Sequence, residues 1–215
     1  MRIFLFTVIT ALFFSFSAQA QEEQNTKDNP WQFRLRGVVV SPDEKASIDA
    51  IGGNADISTT LIPELDISYF FTENWALELI LGTTKHDVKA VNTAVGDIDL
   101  GSAWLLPPTL TFQYHYTDLG NFKPYIGAGV NYTIFYSVDE GPVADDVDYD
   151  NSFAFAGQLG LDYMISEKWF INVDVKKLFL QTDATINATS ALGATVGADV
   201  DINPWLFGVG FGVKL

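Results

Sequence analysis

The sequence predicts an all-β chain, an eight-stranded antiparallel up-and-down transmembrane β-barrel over residues 31–215. Three observations predict it. Long segments alternate an apolar or aromatic face with a small or polar one, the period-two pattern of a strand with two different surroundings. The connections between them alternate strictly between long and short, as in an outer-membrane barrel. After residue 20 no stretch is apolar enough for a membrane helix, which needs ~20 such residues.

The clearest pair runs from Trp104 to Tyr136. Leu110, Phe112, Tyr114 and Tyr116 share one face, backed by Thr109, Thr111, Gln113 and His115. After a turn at Asp118-Leu119-Gly120-Asn121, Ile126, Ala128, Val130, Tyr132, Ile134 and Tyr136 oppose Gly127, Gly129, Asn131, Thr133 and Phe135. The remaining strands follow in order. Trp31, Phe33, Leu35, Gly37 and Val39 alternate with Gln32, Arg34, Arg36, Val38 and Val40 until Pro42. A second strand runs roughly from Ile57 to Phe71, and a third opens at Trp75 after the turn Thr72-Glu73-Asn74. The sixth carries Phe153, Phe155, Leu159, Leu161 and Tyr163 outward, and the seventh opens at Trp169 after Ser166-Glu167-Lys168. The eighth sets Trp205, Phe207, Val209, Phe211, Val213 and Leu215 against Leu206, Gly208, Gly210, Gly212 and Lys214. The stretches before Asp56, from Lys85 to Ala103, from Val138 to Asp150 and from Ala184 to Ala198 read as long loops.

Residues 1–20 have the parts of a secretory signal peptide: Arg2, an apolar core from Ile3 to Phe16, and Ala18-Gln19-Ala20 as the cleavage site. Residues 21–30 form a polar leader. The mature chain would carry eleven basic residues against 27 acids, a net charge of −16, which argues against nucleic-acid partners. The absence of cysteine excludes disulfides and thiolate metal sites.

A soluble barrel such as a lipocalin would put its apolar faces inside and its charges outside. Here the charges fall on loops, turns or the polar face. The small residues of that face (Ala154, Ala156, Gly160, Gly208, Gly210, Gly212) make sense in a narrow lumen, where they leave room for larger side chains from other strands. Trp31, Trp75 and Trp169 stand at strand starts beside the leader or a short turn, so they share one level, as membrane-interface aromatics do. An even strand number puts both ends at that short-turn side, the periplasm.

Leu106-Pro107-Pro108-Thr109-Leu110, Pro124 to Thr133 and Gly157-Gln158-Leu159-Gly160-Leu161-Asp162-Tyr163 resemble the OmpW family of Gram-negative outer-membrane proteins, over essentially the whole mature chain. The resemblance implies a narrow, partly apolar channel that assists small hydrophobic molecules across the outer membrane, including by lateral release into the bilayer. The alkane-uptake protein AlkL is in that family. The implied partners are outer-membrane lipid and lipopolysaccharide, small hydrophobic molecules and the outer-membrane assembly machinery. The chain finishes on Leu215, where such barrels commonly carry an aromatic, while Phe211 and Val213 keep the alternation.

Parity directs Arg34, Arg36, Lys176 and Lys214 to the lumen together with Glu64, Asp66, Glu78, Asp162 and Asp174. Charges in a confined interior need partners. This set reads either as a structural plug or as a selectivity element. Above it, parity gives Val40, Ile62, Ile80, Leu178, Leu180 and Leu206, odd residues for a water-filled porin. They form either an apolar substrate path or interior packing. Pro63, Pro107 and Pro108 remove ladder hydrogen bonds, marking either a gap in the wall or simple bulges.

Nothing points to catalysis, a metal or a cofactor. His86 and His115 are isolated, and Asp146-Val-Asp148-Tyr-Asp150 lacks the glycine and later glutamate of a calcium loop. Gly208-Val-Gly210-Phe-Gly212 has no helix after it to complete a nucleotide motif. The leading expectation is a passive channel for small hydrophobic molecules. The competing one is a closed structural or surface-interaction barrel whose long loops bind partners.

Overall fold

The computed structural model describes residues 29–49 and 51–215. The expected signal peptide and most of the expected leader lie outside the described residues. Asn29 and Pro30 are already tied to the barrel: Asn29 Oδ1 accepts Trp31 N–H at 3.2 Å, and Pro30 O accepts Phe70 N–H at 2.9 Å.

In chain order the strands are β1 (Trp31–Ser41), β2 (Lys45–Ile48), β3 (Asn54–Ile57), β4 (Thr60–Phe70), β5 (Trp75–Gly82), β6 (Thr84–Val91), β7 (Ile98–Leu106) and β8 (Thr109–His115). They continue as β9 (Phe122–Glu140), β10 (Asp146–Tyr149), β11 (Ser152–Met164), β12 (Trp169–Phe179), β13 (Gln181–Ala188), β14 (Ala194–Asp201) and β15 (Trp205–Lys214). One helical turn, Thr189–Leu192, sits between β13 and β14. Eight of them, β1, β4, β5, β8, β9, β11, β12 and β15, pair antiparallel in that order, and β15 returns to β1 from Gln32↔Lys214 to Ser41↔Trp205. The sheet is a closed barrel.

Its exterior is apolar: Leu35, Leu65, Leu79, Phe112, Ile126, Leu159, Ile171 and Phe211 are all exposed on it. In water such a surface would drive aggregation; in lipid it is the face that fits. The turns set the level of the interfacial aromatics. Thr72 Oγ1 accepts Trp75 N–H at 3.1 Å, and Ser166 Oγ accepts Trp169 N–H at 3.0 Å, so each hydroxyl caps the turn that launches a tryptophan. Trp31, Trp75 and Trp169 all lie on the outside at this end, with Trp31 against Tyr69 and Trp75 stacked on Phe112.

Four stretches that read as loops are largely strand. Residues 85–103 form most of β6 and β7, and 184–198 most of β13 and β14; β2, β3 and β10 occupy parts of the other two. These strands extend the barrel beyond the membrane band as two curved sheets, β10-β13-β14-β2 and β3-β6-β7 with the end of β9. In this extension the alternation inverts. Val88, Ala90, Ala184, Ile186, Val196 and Ala198 point inward, while Asp87, Lys89, Asp183 and Asp199 face water. The surroundings dictate the inversion, because the exterior here is solvent and not lipid.

Lumen glycines follow the same physics. A Cβ on Gly160 would overlap the Tyr125 ring, 2.1 Å from its Cζ, and one on Gly210 would lie 2.1 Å from the Leu35 carbonyl oxygen. Only glycine lets β1 and β15 approach so closely beneath the Arg36 side chain.

Candidate functional site

The lower lumen is filled by a charge network from five strands. Arg34 on β1 reaches Glu78 Oε1 on β5 at 2.6 Å and Asp162 Oδ2 on β11 at 2.8 Å. Two residues further along β1 on the same face, Arg36 lies 2.7 Å from Asp66 Oδ2, 2.9 Å from Glu64 Oε1 and 3.1 Å from Asp174 Oδ1. These last contacts are close but off-axis for hydrogen bonding, so they act as ion pairs. Lys176 on β12 caps the network, 2.6 Å from Glu64 Oε1 and 3.3 Å from Asp174 Oδ1. Every one of these side chains is almost wholly withdrawn from solvent.

Parity placed these eight residues inward but could not pair them. It also passed over the neutral groups that complete the network. Gln113 Nε2 donates to Glu78 Oε2 at 2.6 Å, Gln158 Nε2 donates to Asp174 Oδ2 at 2.8 Å, and Asn172 Nδ2 donates to Asp162 Oδ1 at 2.7 Å. Gln, Asn and Thr at lumen positions between charges are the signal that was available. Beneath Arg34 the lumen is sealed by rings: Tyr125 and Phe170 lie 5.2 and 5.6 Å from the guanidinium carbon, and His115 stacks on Tyr125 at 4.7 Å.

Lys214 departs from the expectation. It makes no ion pair among the described residues, and its ammonium stands 5.9 Å from the Phe70 ring centroid. At the last residue of β15 the side chain lies at the half-exposed lower rim, below the network and beyond its carboxylates.

Above the network the lumen becomes apolar. Val40, Ile62, Ile80, Leu178, Leu180 and Leu206 form its lower wall, each less than a tenth exposed, around a cavity of ≈ 110 Å³ that continues between the two outer sheets. Its floor is the Glu64–Lys176 pair. Of its titratable lining, His86 on β6 holds Ser58 O at 2.5 Å through Nδ1 and Thr84 Oγ1 at 2.9 Å through Nε2. Burial holds its imidazole below the usual range. Burial pushes the Tyr149 phenol up to about 12.

The wall is interrupted beside this cavity. The β5–β8 ladder reaches Ile80↔Thr109 and the β6–β7 ladder begins at Thr84↔Leu105, leaving Leu81–Thr83 and Leu106–Pro108 unpaired with one another. The β4–β5 ladder also stops at Glu64↔Gly82, one residue from Pro63. On the other side the wall is intact: Tyr132 N–H donates to Pro108 O at 3.1 Å, and Asn131 Nδ2 donates to Pro107 O at 3.0 Å. Gly82 and Pro107 both line the cavity, so the break opens onto it. Outside, Thr83 Oγ1 donates to Leu105 O at 3.1 Å and meets Tyr136 OH at 2.8 Å, a side-chain substitute for the missing backbone pair.

The OmpW family profile matches residues 29–215, the barrel and both outer sheets together. The chain belongs to the OmpW family. Outer-membrane protein y4mB of Sinorhizobium fredii is 51% identical over 183 residues, covering 85% of this chain and 78% of its own. The dibenzothiophene metabolism operon protein PahQ of Pseudomonas aeruginosa is 34% identical over 74% of this chain and 77% of its own. The crystal structure of the outer-membrane protein OprG from Pseudomonas aeruginosa superposes with a TM-score of 0.80 at 32% identity, covering 86% of this chain and 95% of that one. This OmpW-family barrel resides in the cell outer membrane, with its short turns periplasmic and its two outer sheets extracellular. Its relatives are outer-membrane barrel proteins, not enzymes.

Proposed function

We propose that this barrel carries small hydrophobic molecules from the extracellular side into the outer membrane. The molecule enters between the outer sheets and descends the apolar lumen past Ile186 and Val88 to Ile80, Leu178 and Leu206. The Glu64–Lys176 floor stops it there, because displacing a paired, desolvated charge network costs more than an apolar solute can return. It then leaves sideways through the break at Gly82 and Pro107 into lipid.

One observation carries the reading: an apolar cavity, closed below by charge, ends beside a stretch of wall where Leu81–Thr83 and Leu106–Pro108 have no backbone pairing to each other. A porin needs a wet lumen, and a merely packed barrel has no need to interrupt its ladder at the cavity's lower end. A relative named for an operon of dibenzothiophene metabolism supports the substrate class, since dibenzothiophene is a small apolar molecule.

The test is uptake of radiolabelled octane by intact cells with the barrel, without it, and with Ile80→Asp. The expected result is protein-dependent uptake abolished by Ile80→Asp, with the variant still showing heat-modifiable mobility on gels. Equal uptake in all three strains would reject transport and favour a closed barrel whose loops bind partners.

A further inference from the structure

We infer that the barrel selects its solutes by head-group charge, admitting uncharged apolar molecules and excluding amphiphiles with an anionic head. The inference rests on the conduit reading and names the substrate class more narrowly. It starts from the distribution of charge along the path, which is one-sided from mouth to floor.

The extracellular segments carry four acids in 42–59, three in 83–106, six in 136–151 and three in 180–204, against Lys45, Lys85 and Lys89 alone. One of those lysines is ion-paired and the other two stand across the ladder from acids. Lys85 Nζ lies 2.9 Å from Asp139 Oδ2, Lys45 stands opposite Asp201, and Lys89 stands opposite Asp56 and Asp99. The outward face of the β10-β13-β14 sheet is the extreme case. Asp146, Asp148, Asp183 and Asp199 are exposed on it, and Asp183 directly faces Asp199 across the ladder, a pairing of like charges that destabilises a sheet.

The floor has the same sign. Five carboxylates there share three cations. Arg34, Arg36 and Lys176 each already contact at least two carboxylates, and both oxygens of fully buried Asp66 have no hydrogen-bond donor. A carboxylate or phosphate head descending the lumen would lose its hydration and meet, at the floor, only cations already held by carboxylates. At the mouth it would meet a field of its own sign, which falls off with ionic strength. A neutral molecule feels neither effect.

The test compares chain-matched radiolabelled decanol and decanoate at pH 7, where decanoate is ionised. Protein-dependent uptake is measured for each, as the difference between cells with and without the barrel. A rim variant, Asp146→Asn/Asp148→Asn/Asp183→Asn/Asp199→Asn, leaves the lumen untouched. The expected uptake of decanol exceeds that of decanoate by about tenfold, the lower end of what a single-signed field does to encounter rates. The rim variant, or added salt, raises decanoate uptake several-fold and leaves decanol unchanged. Equal uptake of the two solutes, or a preference that neither the variant nor salt alters, would overturn the selectivity while leaving the conduit standing. No protein-dependent uptake of decanol would instead reject the conduit, and the selectivity with it.

Discussion

Arg36→Met should be the most damaging single change in the lumen. Arg36 is almost fully buried and holds Asp66, Glu64 and Asp174 at 2.7, 2.9 and 3.1 Å. Without it, Glu64 and Asp174 keep Lys176, but Asp66 has no other cation in reach. Breaking a buried ion pair from one side costs about 3–5 kcal/mol, because the charge left behind cannot recover its hydration. Lys176→Met leaves Arg36 in place beside both of its carboxylates, so its cost should be smaller, about 1–3 kcal/mol. Arg36→Met/Asp66→Asn should recover more than half of the loss by removing the orphaned charge. Urea unfolding in phospholipid vesicles, followed by tryptophan fluorescence and by heat-modifiable mobility, ranks the three. Equal losses for Arg36→Met and Lys176→Met, or no recovery in the double variant, would refute the pairing scheme.

Further outcomes follow from the same geometry. Gly210→Ala should abolish assembly of the folded form, because its Cβ would press on the Leu35 carbonyl at the barrel closure; Gly157→Ala, with open space around its Cβ, should fold normally on the same gel assay. Asp183 is held above the usual carboxylate range by its hydrogen bond to Asp199, by slight desolvation and by repulsion from Asp199 and Asp150. A carboxyl raised in the folded state favours the fold at low pH and opposes it as pH rises through its folded pKa. Asp183→Asn should therefore slow hydrogen exchange in β13 and β14 at pH 7 and change it little at pH 3; the reverse order would refute the assignment. Thr83→Cys/Leu106→Cys, which continues the Thr84↔Leu105 register, should form a disulfide that staples the wall break. Octane uptake should then fall when the pair is oxidised and return on reduction, and uptake indifferent to redox state would remove the lateral exit.

The membrane band was legible because its alternation is written in residues far apart in polarity. Trp31, Phe33 and Leu35 against Gln32, Arg34 and Arg36 leave no doubt which face meets lipid. The extracellular strands were read as loops because theirs is written largely in alanine, glycine, asparagine and aspartate, which favour strands poorly. Ala184, Ile186 and Ala188 against Asp183, Thr185 and Asn187 is still a strict alternation, and it was masked by its small-residue composition. Parity sorted the lumen charges, Lys214 included, but did not show that Lys214, where the strand ends at the rim, makes no ion pair among the described residues. Pairing partners were beyond it, since Arg34 meets Asp162 from a strand not hydrogen-bonded to its own. The prolines marked the wall break, but only the register on both sides shows that β9 keeps its bonds there while β5 and β6 do not.

The measurement that tests the central claim most directly is the position of an apolar solute inside the barrel. Crystals grown from lipidic mesophase with α,ω-dibromodecane would report it through bromine anomalous scattering. The account predicts bromine peaks in the lumen between Ile80, Leu178 and Leu206, above the Glu64–Lys176 floor, and a weaker one at Gly82 and Pro107. Peaks confined to the lipid-facing surface, with the lumen empty of bromine, would contradict it.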